Sequence, residues 1–192
     1  MAEVSGRALL GVIKFAKAEY GPSALNELLE GQDRDILKVF EKRILVLSWY
    51  PYSAYIYLLK AIDLKWGNGD LIYCKRIGEH AATLDLKSFL RVYNARGGQK
   101  DLIKSSTMVW SSYYRNAGRM EAVSAEPENT VLRIMDFPEM DPAHCRLMEG
   151  WMSEAIKMIG TQLISGVTEV KCMSKGDHYH EFKCVWTPLI VR

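Results

Sequence analysis

No apolar run in this chain approaches the roughly 20 residues that a bilayer-crossing helix needs. Its N-terminus, interrupted by Arg7 and Lys14, also lacks the continuous apolar stretch and small-residue cleavage site of an export signal. The expected setting is therefore cytoplasmic. Charge of one sign is missing too: 25 Lys+Arg stand against 23 Asp+Glu, a net +2, which predicts no general attraction to nucleic acid or acidic membranes. Cysteine is scarce, with Cys74, Cys145, Cys172 and Cys184 alone. Without an export signal these read as reduced thiols or metal ligands before they read as disulfides. Also absent are a Gly-x-Ser-x-Gly elbow, a Walker A loop, a Gly-x-Gly-x-x-Gly fingerprint and a His-Glu-x-x-His helix. The expectation is a protein without catalytic activity.

What is present is globular material: 192 residues, 48% hydrophobic, enough to bury a sizeable core as a single domain over 1–192. The first part, 1–116, reads as helices. Leu9, Leu10, Ile13 and Ala16 recur at helical spacing until Gly21-Pro22, and Leu25, Leu28 and Leu29 continue in a second helix. Asp33 caps a third with Ile36, Leu37, Phe40 and Ile44, and a fourth runs from about Pro51 to Trp66. Gly67-Asn68-Gly69 breaks the pattern before a fifth helix through Ile72, Ile77 and Ala81. A sixth is expected near Lys87 to Ala95 and a seventh from Gln99 to Arg115.

After Asn116-Ala117-Gly118 the period changes to two. Arg119 to Ala125 and Thr130 to Phe137 read as a hairpin, and Asp141-Pro142 starts a helix whose Cys145, Met148, Met152, Ala155 and Ile159 form one stripe. Two more strands follow, Gly166 to Met173 and Tyr179 to Thr187. The fold class is α+β: a multi-helix layer on a four-stranded antiparallel sheet with one intervening helix, in the order β-β-α-β-β over 117–192.

The closing hairpin carries the candidate chemistry. With Lys175, Gly176 and Asp177 as a three-residue loop, Ser174 faces His178 and Cys172 faces His180. Opposed Cβ atoms lie about 4.5–5.5 Å apart, close enough for one tetrahedral ion to take a thiolate and an imidazole. Cys145 is the third candidate ligand, and Glu121 on the first hairpin is the best-placed carboxylate for a fourth. The competing reading is that Cys145 and Cys172 fill the helix–sheet interface as small hydrophobes. Cys184 reads as core, His178 and His144 as solvated turn and helix-end residues, and His80 as a helix-face residue. Trp49, Tyr52, Tyr55, Trp110, Tyr113 and Phe182 either line a ligand pocket or serve ordinary packing.

The stretch from Cys172 through Gly176-Asp177 to His180 and Phe182 resembles the closing motif of 4-vinyl-reductase-type small-molecule-binding domains. In that motif a cysteine, a Gly-Asp turn, a second cysteine and an aromatic residue recur; here His180 stands where the second cysteine is expected. Related aromatic-sensing activator domains hold zinc with three cysteines and a glutamate beside an effector pocket. The resemblance thus implies a structural zinc at Cys145, Cys172, His180 and Glu121.

Across nearly the whole chain, Gly6-Arg7-Ala8-Leu9-Leu10, Ser48-Trp49-Tyr50-Pro51-Tyr52, Gly150-Trp151 and Gly176-Asp177 resemble an uncharacterised paralogous family best represented in myxobacteria. Its superfamily includes haem nitric-oxide-binding domains and TRAPP vesicle-transport subunits. That likeness implies an apolar or aromatic small molecule, or an acyl chain, as ligand. Haem is not expected, because no counterpart of the haem-ligating histidine and its Tyr-Ser-Arg companion is found. Two functions follow: a ligand-sensing regulatory domain acting as a homodimer or on a protein partner, or an adaptor similar to the TRAPP-type subunits. A filled core with a large apolar helical surface would favour the adaptor.

Overall fold

The computed structural model describes residues 1–96, 103, 105–126, 129–158 and 161–188. It has the expected α+β architecture. The N-terminal layer comprises β1 (Glu3–Ser5), α1 (Gly6–Tyr20), α2 (Ala24–Leu29), α3 (Arg34–Phe40), β2 (Trp49–Pro51), α4 (Tyr52–Trp66), α5 (Ile72–Arg96), α6 (Ser106–Tyr113) and β3 (Tyr114–Arg115). Then come β4 (Arg119–Glu126), β5 (Asn129–Met135), α7 (Pro142–Met158), β6 (Thr161–Lys171) and β7 (His180–Pro188).

Three differences from the sequence reading matter. The expected fifth and sixth helices are one continuous α5, since no residue between Ala81 and Lys87 interrupts the hydrogen-bond ladder. The expected helix from Gln99 is described as a helix from Ser106 to Tyr113; residues 97–102 and 104 lie outside the described set. Tyr114 and Arg115 instead join a small sheet, β2-β1-β3, that the sequence reading did not anticipate.

The main sheet has the order β4-β5-β7-β6, antiparallel throughout, so β6 is an edge strand. Its inner face presents Met120, Leu132, Ile134, Phe182, Cys184 and Trp186, all buried. Amphipathic α7 covers that face with Cys145, Met148, Met152 and Ala155. On its other side α7 crosses α5 at backbone distance: a Cβ on Gly78 would lie 2.0 Å from Leu147 O, and one on Gly150 would lie 2.0 Å from Lys75 O. Two glycines thus set how close the helical layer sits to α7, and through α7 to the sheet.

Candidate metal centre and aromatic core

Four suitable side chains meet where the first turns of α7 reach the β6–β7 ribbon. Cys145 of α7, Glu169 of β6, Cys172 just after β6 and His180 at the start of β7 each supply an atom within 4.8 Å of all the others. Cys145 Sγ is 3.9 Å from Cys172 Sγ and 3.5 Å from His180 Nδ1, which is 3.0 Å from Glu169 Oε1. Around a tetrahedral zinc, with ligand distances near 2.3 Å for sulfur and 2.1 Å for nitrogen, a sulfur–sulfur edge is about 3.8 Å and a sulfur–nitrogen edge about 3.6 Å. The two edges from Cys145 match that polyhedron, while the 3.0 Å between His180 Nδ1 and Glu169 Oε1 is a hydrogen-bond distance that an ion would have to widen. His180 Nε2 points away, buried and without a hydrogen-bond partner among the described residues.

The ribbon's register explains which residues arrive. Glu169 pairs with Phe182 and Lys171 with Glu181, so Val170 is the extra residue of a bulge. Strict alternation would put Glu169 and Lys171 on one face; the bulge turns Glu169 inward while Lys171 points outward. Cys172 and His180 stand one step beyond the last ladder pair, inward again. Their connection is not the expected three-residue loop. A 3-10 turn, Met173–Lys175, leads into left-handed Gly176 (φ 95°), and Asp177 Oδ2 accepts a hydrogen bond from Cys172 N at 2.8 Å. Ser174 Oγ lies 2.9 Å from Cys172 Sγ rather than facing His178.

The helix also grips the edge strand. Glu149, one turn beyond Cys145 and buried, accepts Glu169 N at 2.8 Å through Oε1 while its Oε2 takes Arg146 Nη1 at 2.8 Å. Ser153 Oγ accepts Val167 N at 3.2 Å. These acceptors satisfy edge-strand amides that have no neighbouring strand. The sequence reading missed Glu149, although an acid four residues after Cys145 on an otherwise apolar stripe is the signal for it.

Electrostatics favour a cation. Burial, then the Glu169 carboxylate, pushes the Cys145 thiol far above its ordinary range. Burial pushes Glu169 up as well, but hydrogen bonds from His180, Cys145 and Cys172 outweigh it and hold the carboxyl below the usual value. A divalent ion at the centre would compensate the thiolates and the carboxylate together.

Glu121 is not part of this group. It is exposed on β4, opposite Arg133 on the sheet's outer face, and Glu169 takes the corner expected for it. Cys184 is buried core, its thiol pushed up to about 12 by burial, and His178 is an exposed turn residue. His80 packs edge-on against Phe15.

His144 is not the solvated helix-end residue expected. Fully buried in the first turn of α7, it has Nδ1 2.9 Å from Tyr52 Oη and Nε2 2.8 Å from Tyr114 Oη. Tyr55, Trp110 and Phe137 surround it.

The six expected pocket residues therefore do not share one pocket. Tyr52, Tyr55 and Trp110 enclose His144. Tyr55 and Trp110 also line, with Tyr113, a void of about 30 Å³ where Tyr113 hydrogen-bonds Asp85, and Phe182 is sheet core opposite Glu169. Trp49 lies on β2 with the Arg115 guanidinium 4.0 Å above its ring. A second interlayer void, about 40 Å³, lies beside Met120, Leu132, Met152 and Ile156. The large concavity is elsewhere: a cleft of about 880 Å³ along α4, with Leu28, Tyr52, Ile56, Tyr57, Ala61 and Leu64 among its lining.

No protein-family model and no curated protein matches the sequence. Solved structures do match over nearly the whole chain. An H-NOX protein from S. oneidensis in the Fe(II)NO ligation state superposes with a TM-score of 0.72 at 14% identity, covering 95% of this chain and 99% of that one. Fe(II) unliganded H-NOX from K. algicida gives 0.70 at 8% identity, covering 98% and 99%. An oxygen-binding H-NOX domain related to soluble guanylate cyclases gives 0.67 at 12% identity, covering 98% of each chain. At such identities the likeness is one of fold: this chain has an H-NOX-like fold.

Proposed function

We propose that the chain is a non-enzymatic sensory domain that binds an apolar small molecule and is stapled by a structural zinc at Cys145, Glu169, Cys172 and His180. The observation that carries this reading is the convergence of those four side chains on one point, inside a fold shared with H-NOX sensors. Four protein ligands leave a tetrahedral zinc no open position for water or substrate, so the ion ties α7 to the ribbon rather than activating a nucleophile.

The reading includes no haem. Both nitrogens of His144 are engaged by tyrosine hydroxyls, and the two interlayer voids have room for about one water each. The ligand site is the cleft along α4. Of the aromatic residues expected to line a pocket, Tyr52 borders it, and Tyr52 Oη reaches His144, the neighbour of Cys145. Asp141, also at the cleft, pairs with Lys60 and accepts Ala143 N at the start of α7. An effector in the cleft thus touches the residues that seat α7. It shifts a conformational equilibrium only by binding one state better, and a homodimer or a regulatory protein in the cytoplasm reads the shift.

The test is reversible stabilisation. A medium-chain alcohol or a phenol at a hundred times its Kd should stabilise the wild type by about 2.7 kcal/mol, and Ile56→Arg should abolish the effect. The filled interlayer core favours the adaptor as a second reading. A protein that no apolar probe stabilises, but that forms a tight complex with a protein partner, would establish it.

A further inference from the structure

The connection between α3 and β2 breaks the usual rule for turns. Ser48 N donates to Leu45 O at 3.1 Å, which makes Leu45–Ser48 a β-turn with Val46 and Leu47 at its corners. Such corners normally carry Gly, Pro, Asn or Asp. Here three consecutive aliphatic side chains stand in solvent: Leu45 at 56%, Val46 at 47% and Leu47 at 87% of full exposure. A run of that kind is a defect unless it serves a function.

The turn is held out firmly. Ile44 is buried, Tyr50 Oη accepts Leu45 N at 2.8 Å, and Gly6 N donates to Ser48 O at 2.8 Å. Gly6 lets the turn seat this closely, since a Cβ there would lie 1.9 Å from Leu45 O. Cations flank the tip. Lys42 and Arg43 are exposed immediately before Ile44, and Lys14 shares with Val46, Leu10 and Leu84 a hollow of about 250 Å³. Preceding the turn, α3 has no fully buried residue, with Ile36, Leu37, Val39 and Phe40 half-covered beside exposed Arg34 and a Lys38–Asp35 ion pair.

We propose that this turn docks the domain on an anionic phospholipid surface, with Val46 and Leu47 entering the headgroup–acyl boundary and Lys42, Arg43 and Lys14 facing phosphates. An apolar tip whose outermost side chain, Leu47, is 87% exposed, with Lys42 and Arg43 close by in the chain and Lys14 across the hollow beside Val46, matches a bilayer interface. A protein-interface core, by contrast, is depleted of lysine. The acids of this segment, Asp33, Asp35 and Glu41, precede the Lys42-Arg43 pair in the chain, so the cations next to the tip have no acid between them and the apolar run. Docking is independent of zinc and of the α4 cleft.

The test is co-sedimentation of the full chain with vesicles of phosphatidylcholine alone or with 30% phosphatidylserine, about a third of the lipid, comparable to an anionic leaflet. Binding to the mixed vesicles only is expected. Leu47→Glu should abolish it without changing the circular dichroism, and Lys42→Gln with Arg43→Gln should weaken it on the order of thirty-fold. Leu47→Trp should gain a blue-shifted emission on the same vesicles. Absence of binding to either vesicle, or binding that survives Leu47→Glu, overturns the proposal. A wild-type dimer that ignores vesicles and becomes monomeric with Leu47→Glu also overturns it, assigning the turn to a second copy.

Discussion

His144 is the residue whose surroundings make the sharpest demand. Burial pushes its pKa down to about 3, with nearby His180 a lesser cause, so it stays neutral between Tyr52 and Tyr114. In the unfolded chain the same imidazole titrates near 6.5. Between these values the unfolded state binds a proton that the folded state refuses, so this contribution is fully present above about pH 6.5 and is lost as pH falls. From pH 7 to pH 5 it amounts to about 2 kcal/mol. Urea unfolding of wild type and His144→Gln at the two pH values should show wild type losing that much more than the variant; equal losses would contradict the neutral assignment. At the metal group, Glu169→Gln should weaken zinc binding while Glu121→Gln leaves it unchanged, read by competition with a chromogenic chelator. Three of the four candidate ligands were legible in the sequence because Cys145 lies on a helical stripe and Cys172 and His180 flank a recognisable turn. Glu169 was not. Counting back by twos from Cys172 puts it on the outer face, and only the bulge at Val170 brings it in.

Among the elements, α7 does three things: it covers the inner face of the sheet, supplies Cys145 and His144, and satisfies edge-strand amides through Glu149 and Ser153. Its approach to α5 depends on Gly78 and Gly150, each facing a carbonyl that a methyl would overlap. Gly150→Ala should therefore cost about 3 kcal/mol in denaturant unfolding; a change under about 0.5 kcal/mol, the size of an ordinary surface substitution, would show that the crossing has slack. The helices α1, α4 and α7 and the strand order β-β-α-β-β were readable because each carries several turns or alternations. The sheet β2-β1-β3 was not, since strands of three residues or fewer have no period to detect. The cleft along α4 was also hidden: its walls come from α2, α4 and the segment before α7, far apart in sequence.

For the whole molecule, the account is one of layers tied at a point. The β6–β7 ribbon is an edge hairpin, and the metal group joins its closed end to the helix that carries the rest of the core. Zinc bound only by the folded state adds about 4 kcal/mol when free zinc exceeds Kd a thousandfold. Chelation should thus lower the melting temperature and speed amide exchange in β6 and the turn after it before exchange in α5 rises. The most direct measurement is native mass spectrometry with metal analysis on the purified wild type, Cys172→Ser, His180→Ala and Cys184→Ser. The account predicts one zinc per chain in wild type and Cys184→Ser, with zinc and thermal stability reduced together in the other two. A wild-type protein that is zinc-free and fully stable, even after zinc is supplied, would contradict it.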